Sequence, residues 1–273
     1  MMTLALSASA DVELDEEVFL TLMVEPRLTS DYHRVTAESL RTTPIRFAQL
    51  DNDLLGNPLR RFVAPRGLFS YYFQATVDAE APRGVTADLP AAPLCDLSPD
   101  LLHFTLPSRY CESDMLRRMA LSDFGALPPG GEQVLAVARW IREHTQRLPL
   151  EGHPRAAAAS AGETALRRIG GDRDRVHLLI AFCRALRIPA RYVSGYYFGY
   201  DKEDFHCWAE VWLGGRWHAV DPGRERTPAA MVPIAAGRDA ADVFPVRLYG
   251  SGRVREQSIE VTTVTNDDEP GVS

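Results

Sequence analysis

Two short segments, residues 205–212 (FHCWAEVW) and 216–221 (RWHAVD), flank the dipeptide Gly214-Gly215. Both alternate like strands, and a two-residue Gly-Gly connection is a strong hairpin signal, because the favoured turn needs positive φ at both positions. Pairing outward from that turn sets Leu213 opposite Arg216, Trp212 opposite Trp217 and Trp208 opposite Asp221. Successive side chains point to opposite faces, so His206, Trp208, Trp212, Trp217 and Asp221 share one face. His206 and Asp221 are then diagonal cross-strand neighbours, within side-chain reach. A carboxylate beside an imidazole holds its tautomer and stabilises the imidazolium, which is what a general base needs. The tryptophans on that face read as core rather than as a substrate platform.

The 273 residues suffice for one large domain or two smaller ones, with 45% hydrophobic and 25% charged residues, ordinary for a globular protein. A net charge of −7 without a basic cluster argues against a nucleic-acid partner. No segment reaches the roughly 20 apolar residues of a membrane span. The start, MMTLALSASADVELDEE, lacks a basic n-region and does not read as a signal peptide. Cys95, Cys111, Cys183 and Cys207 are widely spaced with no CxxC pair, so a zinc-finger-like site is not indicated. Without an export signal, reduced thiols in a cytoplasmic protein are expected.

The first third is rich in β-branched and aromatic residues. FLTLMVEP, YHRVTAESL, PIRFAQLD, PLRRFVAP and LFSYYFQATVDA are separated by turn residues such as Asp51-Asn52-Asp53 and Gly56-Asn57-Pro58. This predicts a small antiparallel sandwich. Residues 81–98, rich in Pro and Ala, read as a linker. Val134, Leu135, Val137, Ala138 and Ile141 predict a helix around Trp140. A second helix, from about Arg173 to Leu186, carries Val176, Leu179, Ile180, Cys183 and Leu186 as its core stripe. Strands follow at RYVSGYYF and in the two hairpin segments. The expected organisation is a β-rich region (1–80), the linker (81–98), an α+β core (99–265) and a flexible tail (266–273).

HLLIAFCRALRIPARYVSGY (177–196), His206 within HCWAEVW, Asp221-Pro222 and GRDAADV (237–243) together resemble the core of bacterial transglutaminase-like proteins. DLLGN (53–57) and SRYCESD (108–114) resemble the N-terminal region and junction of the same family. The resemblance runs from about residue 20 to 262. It implies a papain-like α+β core and acyl transfer from a peptide-like amide to an amine or to water. A cysteine at the N terminus of the central helix would be the nucleophile, a strand histidine its base, and an aspartate on the next strand the residue that orients the base. His206 and Asp221 match the last two. At the helix start the family reads Gly-Val-Cys-Arg-Asp, then Phe-Ala-His-Leu. This chain reads Gly170-Gly171-Asp172-Arg173-Asp174, then Arg175-Val176-His177-Leu178, so Asp172 stands at the cysteine position and Arg175 replaces an aromatic.

A thiol at a helix N terminus beside an imidazole becomes a reactive thiolate. A carboxylate there is stabilised too, but stabilisation makes it a poorer nucleophile, and its attack on an amide would give a labile anhydride. Cys207 should point away from His206, and Cys183 lies about three turns, roughly 16 Å, along the helix from Asp172. The leading expectation is therefore a catalytically impaired transglutaminase-like protein that binds or regulates peptide or protein partners, with Asp172, His206 and Asp221 as its site and no cofactor. One alternative is an active amidase, peptidase or acyl transferase using those residues. Another is a divalent-metal site made of the same two carboxylates and one imidazole. Asp174 reads as a first-turn acid that satisfies free backbone N–H groups, His177 as a core histidine, and Arg238 and Asp242 as ties between a late loop and the core.

Overall fold

The computed structural model describes residues 1–27, 30–44, 49–147, 159–199, 205–225 and 228–264. The N-terminal third contributes β1 (Met2–Leu14), β2 (Val18–Leu22), β3 (His33–Thr43), β4 (Gln49–Asn52), β5 (Pro58–Ala64) and β6 (Gly67–Ala79). Then come α1 (Pro99–His103), α2 (Arg117–Phe124), α3 (Gly131–His144), β7 (Gln146–Arg147), α4 (Ala161–Arg167), β8 (Ile169–Gly170) and α5 (Asp172–Ala185). The chain closes with β9 (Ala190–Tyr197), β10 (His206–Leu213), β11 (Arg216–Val220), β12 (Met231–Gly237), β13 (Val246–Tyr249) and β14 (Gly252–Thr263).

Two four-stranded antiparallel sheets, ordered β14-β1-β6-β3 and β13-β2-β5-β4, make the sandwich. One of its central strands is β1, whose Leu4, Leu6, Ala8, Ala10, Val12 and Leu14 alternate inward and are all buried. Each fully buried Leu or Val contributes about 1.5–3 kcal/mol, so β1 is a main source of the sandwich's stability. This strand is not among those expected from the sequence, although its period-2 alternation is plain. The expected core takes in everything from 99 to 265. That range needs correction, because β13 pairs with β2 and β14 pairs with β1 along Leu4–Leu14. The last two strands complete the sandwich begun by the first ones. The front of the expected strand PIRFAQLD lies largely outside the described residues, as does the expected tail.

In the core, the sheet β11-β10-β9-β12 is antiparallel, and α5 packs on it with Val176, Leu178, Leu179, Ile180, Phe182 and Cys183 fully buried. α5 is buried nearly all round from Arg175 to Ala185 because α2, α3 and α4 cover the sides the sheet leaves open. The expected linker is laid along this core. Arg83 accepts the Ala219 N–H at 2.8 Å, Leu89 accepts that of Gly131 at 2.8 Å, and Pro90 accepts that of Gly214 at 3.0 Å.

Asn57 fastens the sandwich to the core. It is fully buried, donates to the Ala236 carbonyl at 2.9 Å and accepts the Ala236 N–H at 2.8 Å, so its amide replaces a neighbouring strand on β12. Asp53 holds it in place, accepting the Asn57 side chain and backbone N–H, both at 2.8 Å. Covering an edge in this way removes unpaired backbone groups that would otherwise be buried at a cost. The DLLGN stretch thus serves docking.

Candidate active site

The hairpin forms as its turn demands. Gly214 and Gly215 have φ of 54° and 81°, and Leu213 pairs with Arg216, Trp212 with Trp217, and Ala209 with Val220. His206 and Asp221 therefore meet: Nε2 of the imidazole donates to Oδ2 of Asp221 at 2.8 Å. The Gly223 N–H donates to Oδ1 at 2.8 Å, and the Arg224 guanidinium stands 3.7 Å from Oδ2, so both carboxylate oxygens are engaged. Tyr197 packs edge-on against the imidazole with centroids 4.5 Å apart, and Arg224 lies over the Tyr197 ring. His206 is 2% exposed, so the imidazole is held on all sides by packing. On the same face Trp208 is wholly buried, while Trp212 and Trp217 are partly covered and pack edge-to-face.

α5 begins beside this dyad. A Cβ placed on Gly223 would lie 3.2 Å from Asp221 Oδ1 and 3.6 Å from Asp172 Oδ1, so the two carboxylates flank one small space. A side chain at 223 would fill it. The structure thus brings Asp172, His206 and Asp221 together. The other oxygen of Asp172 accepts from Nη2 of Arg147 at 2.7 Å. Arg147 is delivered by the short parallel pair β7–β8, in which Gln146 faces Ile169 and Arg147 faces Gly170. Sequence reasoning did not find Arg147: its strand has two residues, and no periodicity can be read from two. Asp174 behaves as the first-turn acid. Its Oδ2 accepts the Gly171 N–H at 2.9 Å and its Oδ1 the Ala159 N–H at 3.0 Å, which caps α5.

No cysteine supplies the missing thiolate. Cys207 packs with the α5 face of the sheet, opposite His206, and burial pushes its thiol pKa well up. Burial also pushes the Cys111 and Cys183 thiols up to about 12. Cys95 is exposed on the short helical turn 94–96, far along the chain from the core motifs.

The metal alternative meets a geometric objection. The dyad is closed by a direct hydrogen bond and Asp172 by an arginine, and among the described residues no group of three His, Cys, Asp or Glu side chains is arranged to hold a metal ion.

A family model of the transglutaminase-like superfamily matches residues 120–222, from α2 to the residue after Asp221. The crystal structure of a candidate cysteine protease from Cytophaga hutchinsonii superposes with a TM-score of 0.86 at 30% identity, covering 100% of this chain and 94% of that one. The chain belongs to the transglutaminase-like superfamily. An uncharacterized protein of Mycobacterium leprae is 31% identical over 131 residues, a match spanning 44% of this chain and 45% of that protein, so the chain matches less than half the length of this curated relative. For a transglutaminase-like protein the α+β papain-like core, with one helix on an antiparallel sheet, is the fold the sequence led us to expect.

Behind the dyad lies a buried polar hub that sequence reasoning only touched. His177 is fully buried between Tyr110 and Tyr192, with ring centroids 5.1 and 5.3 Å away, and its Nε2 accepts the Ala240 N–H at 3.2 Å. Asp239, 1% exposed, accepts the N–H groups of Tyr110 and Ala241. Arg184, 3% exposed, donates to the carbonyls of Leu106, Ala190 and Arg238 and to the Ser108 hydroxyl. The 108–114 and 237–243 motifs are therefore joined through α5. Arg238 and Asp242 pair with each other at 3.0 Å.

Proposed function

We propose that this transglutaminase-like protein is impaired in thiol-based acyl transfer and uses the crevice at the head of α5 to bind peptide-like partners, as a binding or regulatory protein. The observation that carries this reading is the 2.7 Å ion pair between Asp172 and Arg147. A carboxylate at a helix N terminus that also accepts from a guanidinium is stabilised in its resting state, and whatever stabilises it before attack raises the barrier to attack. His206 and Asp221 keep the geometry of a base and its orienting carboxylate, with no thiol to activate. The Cytophaga hutchinsonii protein is described as a candidate cysteine protease, which supports peptides as the class of molecule the crevice receives. The four cysteines are free thiols, which fits a reducing compartment, and the reading places the protein in the cytoplasm on that ground. No helix among the described residues is long and apolar enough to cross a membrane.

The test compares the native protein with Asp172→Cys on a panel of peptide amides and glutamine donors, measuring hydrolysis and amine incorporation. The native protein is expected to be silent. Turnover by the native protein that is lost in Asp172→Ala would instead assign chemistry to the aspartate and establish the alternative, an active amidase.

A further inference from the structure

Residues 221–224 fold as a tight turn in which the Arg224 N–H donates to the Asp221 carbonyl at 3.2 Å. Pro222 presets the φ that the second position of such a turn needs, and the Gly223 N–H donates to Oδ1 of Asp221 at 2.8 Å. Asp-Pro-Gly-Arg is thus a local device that returns a guanidinium to the carboxylate three residues before it. Nε of Arg224 lies 3.7 Å from Oδ2 of Asp221, too far for a hydrogen bond, so it adds charge without displacing the His206 N–H from that oxygen. The same guanidinium lies over the Tyr197 ring, with Cζ 4.8 Å from the centroid, a distance at which a cation is attracted to the face of an aromatic ring. Tyr197 in turn meets the imidazole edge to face at 4.5 Å. His206, Asp221, Arg224 and Tyr197 therefore close a ring of four contacts, drawn from β9, β10 and the turn after β11.

The side chains of His206 and Asp221 are 2% and 8% exposed, against 36% for Arg224, and Tyr197 is buried. Arg224 is the member that faces solvent and closes the ring from outside. A neutral imidazole can carry its proton on either nitrogen, and the hydrogen bond it makes decides which. Arg224 bears on both neighbours that decide it here: the carboxylate that accepts the N–H, and the aromatic ring that fixes the imidazole plane. We propose that Arg224 is the positioning residue of the His206–Asp221 dyad, holding the imidazole in the tautomer with its proton on Nε2. Nδ1 then carries the lone pair and is the nitrogen a base on this ring would use. Arg224 does this whether the site binds peptide-like molecules or cleaves them, so its role stands apart from the binding function proposed above.

The experiment is a long-range nitrogen–proton NMR correlation spectrum of the full chain at one alkaline pH, which shows which imidazole nitrogen is protonated. His206 in the native protein is expected to show a single tautomer, with Nε2–H. Arg224→Gln keeps a flat polar head and loses the charge. It should give a mixture of the two tautomers and lose the sharp Nε2–H proton signal, while unfolding at nearly the native temperature, because the side chain is the exposed member of the ring. Tyr197→Leu removes the ring through which Arg224 acts and should also give the mixture. A native Nδ1–H tautomer, or a His206 spectrum left unchanged by Arg224→Gln, overturns the proposal. One measurement needs no variant to fold: the native Arg224 Nε–H should exchange with water far more slowly than that of Arg34, whose side chain is 78% exposed. Equal exchange rates overturn the proposal as well.

Discussion

Acidifying the solution should destabilise the protein through His177, and the size of the effect follows from its surroundings. Burial pushes the imidazole down from 6.5 to about 4, against the opposing pull of Asp239. Burial wins because the Asp239 oxygens are occupied by the backbone N–H groups of Tyr110 and Ala241 and not by the ring. Nε2 is already an acceptor for the Ala240 N–H, so protonation would also break that bond. A histidine with a depressed folded pKa contributes its stability fully above the unfolded value, and that contribution is lost as pH falls toward the folded one. Integrating between 6.5 and 4, the loss is about 2 kcal/mol at pH 5 and about 3 kcal/mol at pH 4. Against a total of about 5–15 kcal/mol for a typical domain, that is a large fraction. Urea unfolding at pH 7.5, 6, 5 and 4 measures it. His177→Leu loses the acceptor for Ala240 and should be less stable at pH 7.5, but its stability should fall less between pH 7.5 and pH 5, by about 2 kcal/mol. Parallel pH profiles for the two proteins would refute the reasoning, as would an NMR titration placing the His177 midpoint near 6.5.

Asn57→Ala should cost about 2–4 kcal/mol, because it strands the Ala236 N–H and carbonyl and Oδ2 of Asp53, and thermal unfolding of the variant reads this directly. Gly195→Ala should be strongly destabilising: a Cβ there would sit 2.3 Å from the Val232 carbonyl and 2.7 Å from the Trp208 ring, an overpacking penalty of at least about 1–3 kcal/mol. With a thiol reagent the native protein should show rapid modification of Cys95 alone, the other three thiols reacting only after denaturation; fast reaction at Cys111, Cys183 or Cys207 would contradict their burial. Arg147→Gln should loosen Asp172 without disturbing the His206–Asp221 bond, seen in NMR at a single pH as a shifted Asp172 carboxyl resonance and an unchanged His206 imidazole resonance.

Local pattern determined a good deal of this protein. The Gly214-Gly215 turn, with alternation on both sides, places His206 against Asp221 from sequence alone, because hairpin register depends only on residues close in sequence. The stripe of α5 and the acid at its third position were readable for the same reason, and so was the departure at Asp172. Tertiary structure alone decided that β1 and β14 meet. Nothing in Gly252–Thr263 announces that it pairs with Met2–Leu14, since strand pairing is set by burial of a shared core and not by neighbours in sequence. It alone put Arg147 on Asp172, through a two-residue strand. A substituted residue can be read from one position, but the charges that tune it arrive from distant segments, and only the folded chain brings them within range.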